Sequence, residues 1–100
     1  GATDSNWTFE YNNLKNAYTI KHNASNEYVT HNDKKIIVNN IPNDDSYYWI
    51  LKKHNDGKYS IINLKTGLCF DIPGGNTYKD IIPYKYNASE NQKFTIQKKF

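Results

Sequence analysis

Three residues of this chain carry chemistry that is best weighed together. Asp71 closes an apolar run in "GLCFDIPGGNTYKD", Tyr84 lies in "IIPYKY", and Asn91 opens "NQKFTI". A polyhydroxylated ring is recognised by a charged acceptor for adjacent hydroxyls, a flat face for its C–H side, and an amide that donates and accepts. Those three components are present here within one stretch of chain. Taken singly, each has a plainer reading: an aspartate ahead of Pro-Gly-Gly is a turn residue bonding its own backbone, and a tyrosine in a strand is packing.

The elements that must position these residues are strands. Leu, Ile, Val and Phe supply little of the chain, while nine Tyr and two Trp add an aromatic core. Aromatic and β-branched residues favour pleated sheets. Helical periodicity is nowhere sustained, and Asn, Asp and Gly clusters break the chain into short runs, so the expected fold class is all-β.

The runs repeat. "AYTIKHNASNEYVTHNDKKIIVNNIPNDDSYYWIL" from Ala17 aligns with "KYSIINLKTGLCFDIPGGNTYKDIIPYKYNASENQKFTI" from Lys58. Tyr18 matches Tyr59 at an offset of 41, while Trp49 matches Phe94 at 45. The extra residues fall where "HNDKK" is shorter than "PGGNTYKD", in a hairpin loop. "NWTFEYNN" matches the closing strands of both copies, so Trp7, Trp49 and Phe94 form a series whose aromatic is expected in the core each time. One domain over 1–100 is therefore expected: 1–16 as the tail of a first repeat, 17–57 a middle repeat, and 58–100 a last repeat carrying the site. The opening strands of the first repeat are missing, which predicts either a second chain that completes the fold or a domain cut from a larger protein.

On these motifs the chain resembles a ricin B-type lectin domain, and its Lys-, Asn- and Tyr-rich style, with "WTFEYNNLKNAYTI", is similar to the clostridial haemagglutinins that accompany botulinum neurotoxin. The resemblance implies a β-trefoil, here incomplete, with two full four-stranded repeats plus one closing strand. It also implies roles. Asp71 would accept from O3 and O4 of galactose, Tyr84 would stack on the ring, Asn91 would bind O3, and Gln92 would brace the aspartate. Pro73 and Gly74 would form a wall, with Asn76 and Asn87 at the rim.

The middle repeat is an internal control. Thr30 stands where Asp71 does, Asn39 where Tyr84 does, Ser46 where Asn91 does and Tyr47 where Gln92 does, while Ile36, Ile37 and Trp49 keep the core. The scaffold therefore does not require an acid at position 71, and the outward, polar Asn39 places Tyr84 on the surface.

Other classes of function are poorly supported. All 13 basic residues are Lys, and without Arg the bidentate fork that reads phosphate and guanine is missing, so no nucleic-acid partner is expected. Cys69 is alone, His22, His31 and His54 form no metal spacing, and no cofactor is expected. No apolar run approaches membrane-spanning length and no signal-like segment opens the chain, so the expectation is a soluble chain that does not insert into membranes. Asn87-Ala88-Ser89 fits a glycosylation triplet but is given no weight in so Asn-rich a chain. No nucleophile has a matched base, and only Asp71 and Glu90 suggest a carboxylate pair, so catalysis is not expected. The function expected is a secreted, extracellular module binding cell-surface glycans of galactose or N-acetylgalactosamine type, as part of a toxin or haemagglutinin. The rival is a scaffold for another toxin subunit with a vestigial sugar site.

Overall fold

Alternation writes the first strand: in β1 (Trp7–Asn12) Trp7, Phe9 and Tyr11 interleave with Thr8, Glu10 and Asn12, the period-two pattern of a pleated ribbon. The structure, a computed structural model, describes residues 7–40, 42–73 and 81–96. Seven further strands follow: β2 (Ala17–His22), β3 (Glu27–His31), β4 (Ile36–Asn39), β5 (Trp49–Lys53), β6 (Tyr59–Asn63), β7 (Leu68–Asp71) and β8 (Ile82–Lys85). Among the described residues there is no α-helix. Two single-turn 3-10 segments, Asp45–Tyr47 and Glu90–Gln92, precede the Trp49 and Phe94 positions.

All the strands join one antiparallel sheet in which β2 and β6 are branch points. β2 pairs along its length with β1; its other edge serves β5 at Tyr18 and β3 at Lys21 and His22. β6 does the same, with β5 on one edge and, on the other, Phe94 bridging Tyr59 and β7 at Ile62. The hairpins β3–β4 and β7–β8 thereby peel away from the strands that carry the aromatic series. They touch each other where the Ile36 amide donates to the Ile81 carbonyl at 3.1 Å.

The register repeats with the sequence. Tyr18↔Trp49 corresponds to Tyr59↔Phe94, Lys21↔Tyr28 to Ile62↔Cys69, and Thr30↔Ile37 to Asp71↔Ile82. Turn chemistry repeats too. Asn26 (φ 58°) and Gly67 (φ 75°) occupy the same left-handed corner, each donating its amide back to the end of the preceding strand. Asn and Gly are the residues that take this conformation at least cost.

Ile20, Val29, Trp49 and Ile61 form the buried core, with Phe9, Ile36, Leu51, Phe70, Phe94 and Ile96 packed against it. Trp49 is fully buried and its indole Nε1 donates to the Val29 carbonyl at 3.0 Å. Edge-on contacts run from Trp49 to Phe70 (4.9 Å between centroids) and on to Phe94 (6.0 Å). The expectation that the aromatic series is buried in every copy fails at Trp7, which is 44% exposed. Among the described residues β1 pairs only with β2, so the indole rests against the His22 ring at 4.7 Å with no second strand to cover it.

Trp49→Ala removes both the largest core side chain and the donor to Val29, and is expected to cost about 3–5 kcal/mol in urea unfolding. The same change at half-exposed Trp7 should cost less than half as much.

Candidate functional site

Alternation along β7 divides its side chains between two faces. Phe70 points into the core, so Cys69 and Asp71 point the opposite way. That second face is not left open: Cys69 is fully buried and Asp71 only 4% exposed. The 3-10 turn Glu90–Gln92 lies over it, and the Ile72 amide donates to the Asn91 carbonyl at 3.0 Å.

A buried carboxylate is tolerated only when its oxygens are bonded. Both are. Asn91 Nδ2 donates to Asp71 Oδ1 at 3.0 Å and Gln92 Nε2 to Oδ2 at 2.8 Å. Gln92 is itself fully buried with every polar group engaged: Nε2 also donates to the Lys85 carbonyl at 2.9 Å, and Oε1 accepts from the Asn87 amide at 2.8 Å. Its main-chain carbonyl accepts from the buried Ser60 hydroxyl at 2.9 Å. One side chain thus joins the carboxylate, the end of β8 and the following loop. Gln92 thus braces the Asp71 side chain.

Asn91 is similarly oriented, its Oδ1 accepting from the Ser89 hydroxyl at 2.7 Å. This leaves Nδ2 one hydrogen and Oδ1 one lone pair, so the amide keeps one donor and one acceptor site. Tyr84 pairs across the hairpin with Cys69, which puts it on the same face as Asp71. The two are diagonal neighbours, a relation of about 7–8 Å that a long aromatic side chain spans. Tyr84 is 52% exposed, and its hydroxyl has no hydrogen-bond partner among the described residues.

The remaining predicted residues divide. Pro73 is exposed at the end of β7. Asn87 is exposed, but its Oδ1 accepts from the Ser89 amide at 2.9 Å, making it first of all a turn residue. Gly74 and Asn76 lie outside the described residues. Glu90 does not face Asp71: its carboxylate pairs with Lys58 (3.7 Å) and Lys93 (3.2 Å). The sequence reading missed the Lys85 carbonyl, Ser60 and Ser89. Ser89 had a visible signal in Asn87-Ala88-Ser89, whose meaning here is a tight loop with Ala88 at φ 59°.

The middle repeat holds its equivalents in the same places with a different result. Thr30, 4% exposed, donates from Oγ1 to Ser46, whose carbonyl lies at 2.9 Å and hydroxyl at 3.1 Å. Ser46 in turn bonds Asp44 through both its amide and its hydroxyl. The two short hydroxyl side chains satisfy each other locally, and no carboxylate or aromatic face is presented.

Electrostatically, the Cys69 thiol beneath Asp71 is pushed up to about 11, first by burial and then by the negative charge of Asp71. It is accordingly a neutral packing group and not a nucleophile. Cys69 is expected to resist iodoacetamide at pH 8 in the folded protein and to react once urea unfolds it. Gln92→Ala leaves the Asp71 carboxylate, the Lys85 carbonyl and the Asn87 amide short of a partner, and should lower stability by about 3 kcal/mol. A loss below about 1 kcal/mol in urea unfolding would contradict the bracing role.

Comparison with known proteins places this chain in a family. No curated protein matches the sequence. Among solved structures, a mosquitocidal holotoxin superposes with a TM-score of 0.84 at 24% identity, covering 94% of this chain and 13% of the holotoxin chain. ThreeFoil, a designed 3-fold symmetric protein, matches with a TM-score of 0.77 at 18% identity, over 89% of this chain and 69% of its own. SeviL, solved bound to asialo-GM1 saccharide, matches with a TM-score of 0.74 at 22% identity, over 94% of this chain and 70% of its own. At these identities the likeness establishes the fold, which is the β-trefoil. A model of the ricin-type β-trefoil lectin domain-like family matches residues 3–77 and again 45–100. The chain belongs to the ricin-type β-trefoil lectin domain-like family.

Proposed function

We propose that this lectin-type domain is a non-catalytic module that binds a terminal galactose-type saccharide through its last repeat, and that it serves extracellular attachment to cell-surface glycans. The observation that carries the reading is the pairing of a fixed carboxylate with an exposed ring on one face. Asp71 is held by Asn91 and Gln92, while Tyr84 stands 52% exposed beside it. Lone pairs on Asp71 not used by these donors accept from adjacent hydroxyls, Tyr84 supplies the stacking surface, and the free donor and acceptor of Asn91 fix the ring's orientation. Pro73 and Asn87 border this site.

A shallow site of this size binds weakly, with a Kd of about 1 mM, or roughly −4 kcal/mol. Attachment at such affinity calls for several copies, which raise avidity without new contacts. A toxin or haemagglutinin of the clostridial type would supply that context, and the holotoxin likeness supports the toxin half of this reading.

A second reading has one observation in its favour. Trp7, Tyr11 and Leu14 are exposed at 44%, 52% and 91%, all on β1 or the turn that follows it. Such a surface suits docking onto another subunit. Stable association with a partner subunit that survives excess galactose would favour it.

The cleanest test of the primary reading uses Tyr84, because its ring can be removed without opening the core. In calorimetric titration with galactose, Tyr84→Ala should weaken binding tenfold or more at unchanged circular dichroism. Asp71→Asn should weaken it comparably. Undiminished binding by both variants would overturn the assignment.

A further inference from the structure

A groove of about 300 Å³ opens where β1, β2 and β3 meet the segment ahead of β5, lined by Glu10, Asn12, Thr19, Tyr28 and Tyr48 among others. It shares no residue with the Asp71 site. We propose that this groove is a second saccharide-binding site, for a single neutral hexose unit. The proposal extends the lectin reading to a new place on the molecule, and its ligand class rests on that reading.

Register explains why these side chains converge. Glu10 and Thr19 are direct partners across β1–β2, and Asn12 follows two residues after Glu10 on the same face. Tyr28 partners Lys21, two residues after Thr19, and so projects from that same side of the sheet. Tyr48 arrives from the 3-10 turn Asp45–Tyr47, its amide bonded back to the Asp45 carbonyl.

Much of the hydrogen-bonding capacity here is unspent. Among the described residues neither the Glu10 carboxylate nor the Thr19 hydroxyl has a hydrogen bond or ion pair, although Thr19 is 8% exposed. Asn12 is pinned through its oxygen, which accepts from the Leu14 and Lys15 amides at 2.9 and 3.1 Å. Its NH₂ group remains free to donate. The groove thus offers a charged acceptor, a hydroxyl that works either way, an amide donor and two tyrosines. Those are the components a polyol requires, and the volume is at the small end of ligand sites, about 300–1,000 Å³.

The junction between the middle and last repeats supplies the contrast. At the positions equivalent to Asn12 and Thr19 stand His54 and Ser60, and their side chains close on each other at 2.7 Å. Lys52 and Lys93 stand where Glu10 and Tyr48 do, and Lys93 is paired with Glu90. The fold therefore does not demand an open pair, an acid or a second tyrosine at these places. A cationic ligand would use Glu10 and the rings but not the Thr19 hydroxyl or the Asn12 donor. One cation already sits at the rim, with Lys15 Nζ 5.3 Å from the Tyr48 ring centroid and paired with Asp45.

The test is an ¹⁵N–¹H titration of the whole chain with galactose, glucose and N-acetylglucosamine, with tetramethylammonium as the cationic probe. At least one sugar should shift the amides of Glu10, Thr19 and Tyr28, and Glu10→Gln should raise the apparent Kd of that group tenfold while Tyr84→Ala leaves it unchanged. No shift of this group with any of the three sugars, a shift insensitive to Glu10→Gln, or a response to tetramethylammonium alone would each overturn the proposal. The two sites are read apart: shifts near Asp71 without shifts near Glu10 sink only this inference. Shifts near Glu10 without shifts near Asp71 support it and count against the first site.

Discussion

The fully buried amide of Gln92 is the interaction on which the rest of the last repeat depends. Its single NH₂ group spans the gap between Asp71 and the Lys85 carbonyl, while its oxygen receives the Asn87 amide. Without it, a carboxylate would lie buried short of a partner and the 3-10 turn would keep only the Asn91 side chain as its tie to β7. With it, both oxygens of Asp71 are bonded, Asn91 donating to the other at 3.0 Å, while burial and the charge of Asp71 keep the neighbouring Cys69 a neutral thiol. The carboxylate is thus oriented by the protein's own donors, and in the proposed site this would lower the ordering cost of binding.

The two repeats illustrate how one register supports different surfaces. Thr30 and Ser46 close on each other at the same positions where Asp71 and Asn91 stand. Conversely, His54 and Ser60 close on each other where Asn12 and Thr19 remain open. In each case the buried rows, such as Ile20 with Ile61 and Trp49 with Phe94, are preserved. Core positions are constrained by packing, whereas a polar position on the outer face needs only to be satisfied, by a neighbour or by a ligand.

Much of this was legible in the sequence because strands write a period of two and the repeats wrote it twice. The offsets of 41 and 45 survive as residue-by-residue strand register, and the step between them falls in the β7–β8 loop. Tyr84 could be assigned to the surface from polar Asn39 at the same place. What the sequence hid were contacts made by backbone and short side chains: the Lys85 carbonyl on Gln92, Ser89 on Asn91 and Ser60 on the Gln92 carbonyl. Such partners have no type or spacing that marks them. Trp7 was misjudged for a related reason, since burial depends on what lies across the other edge of β1, and a strand's own pattern does not encode its neighbour.

The domain belongs to a lectin-like family whose fold hosts more than one chemistry, so the function rests on the site itself. A crystal structure of the complex with a galactose-terminated saccharide tests the central claim most directly. The account predicts the terminal ring stacked on Tyr84, with two adjacent hydroxyls within hydrogen-bond distance of the Asp71 carboxylate and one of the Asn91 amide. A saccharide bound in an ordered way with Asp71 and Tyr84 both untouched would contradict it.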